Sequence, residues 1–301
     1  MIYSVCLPMI VVGVLALAGP VVSRNLAPST STRFLSALAV LSAAATIGTL
    51  VLLAVGGMVK MLPLLGIGAD RERLVGGRDG VPWLVGAIAA VALGLAAVRV
   101  FRAAANERRT LQALKALVEE SGEGLLVLED SQPYAYAVPV GAGTVIVSTA
   151  MLNTLTDLER RALLAHERAH LTHRHVTHRH YRYQLIAIIA LAINPLLGRV
   201  RRELKLQTER WWADESAAEQ ATRPVTARSL ARAALASAGA APTAMAYSTD
   251  HVRERLAALA VEPLTSHWAT VVPLAVVVTI GSAALLDAIT SCATVLALFY
   301  P

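Results

Sequence analysis

The chain has 301 residues, 55% of them hydrophobic, and its mean hydropathy is clearly positive, which excludes a disordered chain and is high for a soluble protein. Lys and Arg exceed Asp and Glu by six, 27 against 21. In an apolar chain that excess speaks first to membrane topology, and the sparse aromatic residues are not interleaved with a basic run, so direct nucleic-acid binding is not expected.

The first apolar run, Ile2 to Val22, has the length of a membrane-crossing helix. Ala16-Leu17-Ala18 offers a signal-peptide cleavage site, but no Lys or Arg precedes the run while Arg24 and Arg33 follow it. That order favours a retained helix. A second run, Phe34 to Val59, is rich in small residues suited to close packing in lipid. A charged, Gly-containing loop from Met61 to Pro82 leads to a third run, Trp83 to Val100. Cys6 and Cys292 lie in apolar stretches near opposite ends and read as buried small side chains, not as a disulfide scaffold or metal ligands.

From Ala103 to Tyr183 the chain is charged and reads as a soluble domain. Asn106 to Glu120 has helical character. Gly124 to Glu129, Tyr134 to Val140 and Thr144 to Ser148 read as short strands separated by Gly, Pro and Ser. Thr156-Asp157-Leu158-Glu159 is a capping box, so a helix starts near Asp157 and runs through the histidines that follow.

The apolar stretch Gln184 to Leu197 is short for a crossing and has arginines on both sides. It reads as a re-entrant or membrane-dipping hairpin turning near Asn194-Pro195. Polar helical segments follow at Arg199 to Ala221 and Thr226 to Gly239. The stretch Ala240 to Ser266 reads as irregular and then helical, and Trp268 to Tyr300 as a last span. Asp287, inside that span, is either an intramembrane charge or the mark of where the helix leaves the bilayer. The organisation expected is three transmembrane helices in 1–102, a catalytic domain in 103–183, the hairpin in 184–198, the second part of the catalytic domain in 199–265, and a C-terminal transmembrane helix in 266–301. Positive charges place the catalytic region in the cytoplasm and the N-terminus outside, in a multi-pass cell-membrane protein.

The chemistry centres on His166-Glu167-Arg168-Ala169-His170, an HExxH motif. Residues four apart share one face of a helix, so the two imidazoles converge on one metal while Glu167 points beside it. Zinc held by three protein ligands keeps a position open for water and polarises the scissile carbonyl. Glu167 would take the water proton and deliver it to the leaving amine. One zinc per chain is expected. The bland alternative is a charged surface helix, but the capped start and apolar Leu163, Leu164 and Ala165 speak against it.

The runs Arg161 to Leu171, Asn194 to Leu197 and Glu209 to Glu215 together resemble the BlaR/MecR-type family of integral-membrane metallopeptidases, especially short actinobacterial members without a penicillin-binding sensor. The resemblance implies an α-helical membrane protein with an inserted α+β zincin-like domain of gluzincin type. It also implies a third zinc ligand, a Glu on a later helix, followed closely by an Asp. Glu209 and Asp214 match these, Asp214 as the residue orienting a ligand histidine. The family spacing is E-x-x-x-D, whereas here it is five. On a regular helix five residues turn two side chains roughly 140° apart. Either a bulge absorbs the extra Trp, or Asp214 has another partner, or another acid, Glu215 being nearest, is the ligand. No sensor domain is expected after the last apolar run, and antibiotic sensing is therefore not expected to carry over.

His173 shares the face of His166 but lies about 10 Å along the axis. With His175, His178 and His180 it forms a basic tract, read as an interfacial collar against lipid headgroups or as an auxiliary metal site or pH sensor. Tyr181 and Tyr183 are candidates for an interfacial helix end or a transition-state donor. The strand Thr144, Val145, Ile146, Val147 and Ser148 is expected to add an extended substrate along a free edge, or else to be an interior strand. The function expected is a regulatory endopeptidase acting on a cytoplasmic or membrane-proximal protein such as a repressor. The alternatives are an HtpX-like quality-control protease, a His-rich metal-sensing or metal-transporting membrane protein, and a proteolytically dead scaffold.

Overall fold

Helices built from long apolar runs make up the N-terminal third: α1 (Ile2–Ser23), α2 (Pro28–Val59, with Arg33 in its second turn) and the start of α3 (Trp83–Ser121). The computed structural model describes residues 2–59, 81–121, 124–138, 143–171, 178–238 and 251–262, with scattered positions between 272 and 290. The expected loop from Met61 to Pro82 falls almost wholly outside these residues, as do His173, His175, Asp287 and Cys292 and most of the expected last span. Two helices, Pro28–Val59 and Trp83–Ala116, are long and apolar enough to cross a membrane. They meet through glycine: a Cβ on Gly86 would stand 2.6 Å from the Gly57 Cα, so the two backbones touch where neither residue carries a side chain.

The third apolar run and the helix read at Asn106 to Glu120 are one element. Between Val100 and Asn106 lie Phe, Arg and three Ala, with no Gly or Pro to stop propagation, so α3 continues unbroken for 39 residues.

The chain turns back on itself between α6 (His178–Ile193) and α7 (Gly198–Thr208), through a 3-10 turn at Pro195–Leu197. Asn194 holds the tip. Its side-chain oxygen accepts from the Leu196 N–H, and its amide donates to the Thr46 hydroxyl midway along α2 at 3.1 Å. At the open end the Gln184 amide donates to the Thr208 hydroxyl at 3.0 Å. Leu35, Leu38, Ala39 and Ala43 of α2 pack with Ala187, Ala190, Leu197, Val200 and Leu204, which seats this hairpin on the N-terminal helices.

A small sheet follows α3: β1 (Gly124–Leu128), β2 (Ala135–Val138) and β3 (Thr144–Ser148), in the order β1-β3-β2. β3 pairs parallel with β1 and antiparallel with β2. It is therefore the central strand, and all five of its residues are buried. The expectation of a free substrate-binding edge along Thr144 to Ser148 is corrected: both hydrogen-bonding edges of this strand are already taken.

Ser148 caps α4 (Thr149–Thr154), accepting from the Met151 N–H. The motif helix α5 (Asp157–Ala169) opens with the Glu159 carboxylate accepting from the Thr156 N–H at 3.0 Å and hydroxyl at 2.8 Å. After α7 come a π-helical turn (Glu209–Asp214), α8 (Glu215–Ala221), α9 (Arg223–Ser237) and α10 (Val252–Leu259). α9 fixes the start of α5: Arg232 donates to Glu159, and the Ser229 hydroxyl donates to the Glu159 carbonyl. Ala135, Val147, Met151, Leu163, Leu230, Ala233 and Leu259 form the core between sheet and helices.

Candidate metal centre

α5 ends at the motif. Ala169 is its last residue and His170 its C-cap, still in right-handed helical conformation, so the histidines keep their four-residue relation on one face. The ring centroids of His166 and His170 are 5.0 Å apart, edge to face. His166 and Glu167 are buried and His170 nearly so.

The partner carboxylate arrives from the π turn. Its six residues, Glu-Arg-Trp-Trp-Ala-Asp, hold hydrogen bonds of i→i+5 type, which fit one extra residue into a helical turn. Residues five apart then lie on one face. Glu209 Oε2 stands 3.3 Å from His166 Nε2 and 3.8 Å from His170 Nε2, and Asp214 Oδ1 stands 3.3 Å from His166 Nδ1. Of the three explanations open for the five-residue spacing, the bulge is the one present. Glu215 points elsewhere and pairs with Arg223 at 2.7 Å.

One nitrogen from each histidine and one oxygen of Glu209 lie within 4.8 Å of one another. Ligand atoms about 2.0–2.1 Å from a tetrahedral zinc are about 3.3 Å apart. The His166–Glu209 separation matches that, the His170–Glu209 separation is slightly wider, and the nitrogen and carboxylate donors suit zinc. These residues fit the ion without rearrangement of the backbone.

The charges are mutually adjusted. Burial disfavours the charged His166 imidazole, but Asp214 and Glu209 against its two nitrogens outweigh this and raise its pKa from 6.5 to about 9. Burial raises the Glu167 carboxyl to about 7, with Glu209 adding to the rise. Burial opposes ionisation of Glu209 as well, yet His170, His166 and Arg255 hold it well below the usual carboxylate range. Asp214 is likewise held low against burial, by Arg255 and His166.

Glu167 also receives a hydrogen bond from the Ala137 N–H of β2. The ladder explains why that amide is available. Ser148 N–H donates to the Tyr134 carbonyl, so Tyr134, Tyr136 and Val138 turn their backbone groups to β3, and Ala135 and Ala137 turn theirs outward. Among the described residues no strand pairs with that outer edge. The strand edge beside the motif helix left unpaired is that of β2, half-buried at Ala137 and fully buried at Ala135.

Arg255 is passed over in the sequence reading. It is fully buried, its Nε donates to Asp214 Oδ2 at 2.9 Å and its NH2 to Asp214 Oδ1, and it stands 3.7 Å from Glu209 Oε2. The helical period did carry a signal: with Val252, Leu256 and Leu259, Arg255 falls at i, i+3, i+4 and i+7 on the core-facing stripe of α10, whereas Arg253 lies off it. Tyr183 stacks on Trp212 with centroids 5.8 Å apart, Trp212 on Trp211 at 3.7 Å, and the Arg33 guanidinium lies 5.4 Å over the Trp211 ring. Tyr183 is thus part of an aromatic stack on the π turn. The side chains of His178, His180 and Tyr181 lie outside what the structure describes.

A family model described as Peptidase family M48 matches residues 104–277, more than half of the chain. Neither a curated protein nor a solved structure matches it.

Proposed function

We propose, from the premise that the chain belongs to peptidase family M48, that it is a membrane-embedded zinc endopeptidase with His166, His170 and Glu209 as ligands. The observation that carries this reading is the buried convergence of those three side chains with Glu167 beside them. Family membership makes the protein a metallopeptidase.

Bound zinc would polarise the scissile carbonyl and acidify the attacking water. Glu167, held near neutrality by burial, accepts the proton of that water as its oxygen attacks the carbonyl carbon, and returns it to the amine as the C–N bond breaks. Asp214 faces the second nitrogen of His166 and fixes the ring so that Nε2 looks into the site. An extended peptide would add along the outer edge of β2 at Ala137, through its backbone carbonyl, because its N–H reaches Glu167 and Ala135 is fully buried. Such pairing reads backbone more than side chains and suits cleavage within a flexible stretch of a protein.

The long apolar faces of α1 and α3, with Ile10, Val14, Leu17, Ile88, Val91 and Phe101 exposed, support insertion in a bilayer. The tip of the α6–α7 hairpin carries exposed Leu196 opposite the middle of α2, which supports a membrane-dipping element. Arg24 pairs with Glu203 at 3.1 Å, and Arg33 lies over Trp211. The α1–α2 turn is therefore on the side of the catalytic residues, in keeping with a cytoplasmic active site by the positive-inside rule. The substrate we favour is a cytoplasmic or membrane-proximal regulatory protein such as a repressor, a reading that rests on the sequence's resemblance to the BlaR/MecR-type family and not on the match to family M48. Membership of M48 is equally consistent with an HtpX-like quality-control protease. Metal analysis of detergent-purified protein, with proteolysis by wild type and Glu167→Gln, tests the reading. A wild type that holds no zinc would end it.

A further inference from the structure

We propose that Arg255 is a positioning residue of the metal centre, acting through Asp214 to fix His166 and keep the ligand set assembled. The inference rests on the zinc reading above and extends it to a residue outside the motif and its helix.

Three observations converge. Arg255 has no exposed surface, although an arginine is ordinarily placed with its head in water. Its guanidinium is spent on the site: it grips both oxygens of Asp214 and approaches the ligand oxygen of Glu209. Asp214 in turn faces His166 Nδ1, so an unbroken series runs from Arg255 through Asp214 to a ligand imidazole. A forked guanidinium fixes a carboxylate in plane as well as in place, which an ammonium cannot do.

The charges explain why a cation is placed there. Glu167, Glu209 and Asp214 crowd one buried volume, and repulsion among them would splay the site before a metal arrives. Arg255 offsets part of that charge, standing against Asp214 and 3.7 Å from Glu209 Oε2. α10 is built to hold it. Val252, Leu256 and Leu259 pack into the core around Leu230 and Ala233. Arg223 clips the helix end by donating to the carbonyls of Ala258 and Leu259, while also pairing with Glu215 at the start of α8.

The test is a double-mutant cycle on zinc affinity, read by competition with a chromophoric chelator and by the visible spectrum of the cobalt-substituted protein. The proteins are wild type, Arg255→Gln, Asp214→Asn and the double variant. Arg255→Gln should weaken zinc binding ~10- to 100-fold, the usual cost of losing such an outer partner, and should change the cobalt spectrum. The double variant should bind no worse than Asp214→Asn alone, because the two act in series. Should Arg255→Gln fail to fold around an unpaired Asp214, the double variant, which carries neither charge, still decides. Wild-type affinity and spectrum in Arg255→Gln would overturn the proposal. So would multiplicative losses, or a double variant that does not fold or binds zinc markedly worse than Asp214→Asn. A wild type that binds no zinc would instead strike at the reading on which the proposal rests.

Discussion

Glu209 and Asp214, five residues apart, address opposite nitrogens of one imidazole: Glu209 stands 3.3 Å from His166 Nε2 and Asp214 3.3 Å from His166 Nδ1. A regular α-helix would turn them roughly 140° apart. The π turn that aligns them sets the register of the metal centre.

That register can be tested by length. Deleting Trp211 should let the turn relax to an ordinary α-helix with a four-residue spacing, and zinc content should persist. Inserting Ala after Trp212 should carry Asp214 and all that follows out of register and lower zinc affinity by at least about 100-fold, more than the loss of an outer partner alone. Full zinc occupancy in the insertion variant, by metal analysis, would show that the turn does not matter.

Metal holding and chemistry separate at one residue. Glu167→Gln should keep one zinc per chain and lose about 10²- to 10⁴-fold in peptide hydrolysis. His166→Ala and His170→Ala should lose most of the zinc. Retained turnover in the Gln variant would remove Glu167 from the mechanism.

The pH response of metal-free protein follows from the shifted groups. His166 is raised from 6.5 to about 9, so its contribution to stability is full below 6.5 and is lost as pH rises through 9. Glu167 is raised from 4.5 to about 7, so its contribution is full below 4.5 and fades as pH passes 7. Glu209 and Asp214 are lowered, and they act in the opposite sense, losing their contribution on acidification. With chelator present, Tm should therefore fall between pH 6.5 and 9, and zinc should flatten the fall by holding His166 neutral. An unchanged Tm across that window without metal would contradict the electrostatics described.

Proline distinguishes the two strands. Ala137→Pro removes the N–H that reaches Glu167 and blocks the outer edge of β2, so activity should drop while zinc content and expression stay near wild type. Ile146→Pro strikes the central strand and should leave neither folded domain nor metal. Full activity in Ala137→Pro would exclude β2 as the substrate strand.

Helix packing gives a prediction away from the site. Gly86→Ala places a methyl 2.6 Å from the Gly57 backbone and should cost about 1–3 kcal/mol as overpacking. Gly94→Ala, with nothing within 4 Å, should leave thermal stability in detergent unchanged. Equal melting of the two variants would mean that α2 and α3 are not in close contact.

The motif, the capped start of α5 and the three strands were legible because each is a local signal: a spacing, a capping box, a β-branched run. What was not legible depends on neighbours. Thr144 to Ser148 has the same sequence whether it lies inside a sheet or at its edge, and only the pairing order reveals that β1 and β2 are the edges, β2 being the one beside the motif helix. The five-residue gap from Glu209 to Asp214 announced a problem but not its solution, since a π turn has no firm residue signature. The role of Arg255 was hidden for a related reason. Its place on the stripe of Val252, Leu256 and Leu259 pointed it inward, but its partner Asp214 lies 41 residues away and no local pattern names it.

The unbroken course of α3 has a mechanical consequence. At 1.5 Å per residue its 39 residues make a rod about 58 Å long, nearly twice the thickness of a bilayer's hydrocarbon core. The rod has no proline, and the sheet starts within three residues of its end. One degree of tilt about the apolar end sweeps the other end through about 1 Å. Under the membrane-embedded reading proposed above, a change in bilayer thickness that tilts α3 would reach the sheet first at β1, whose parallel pairing ties it to β3.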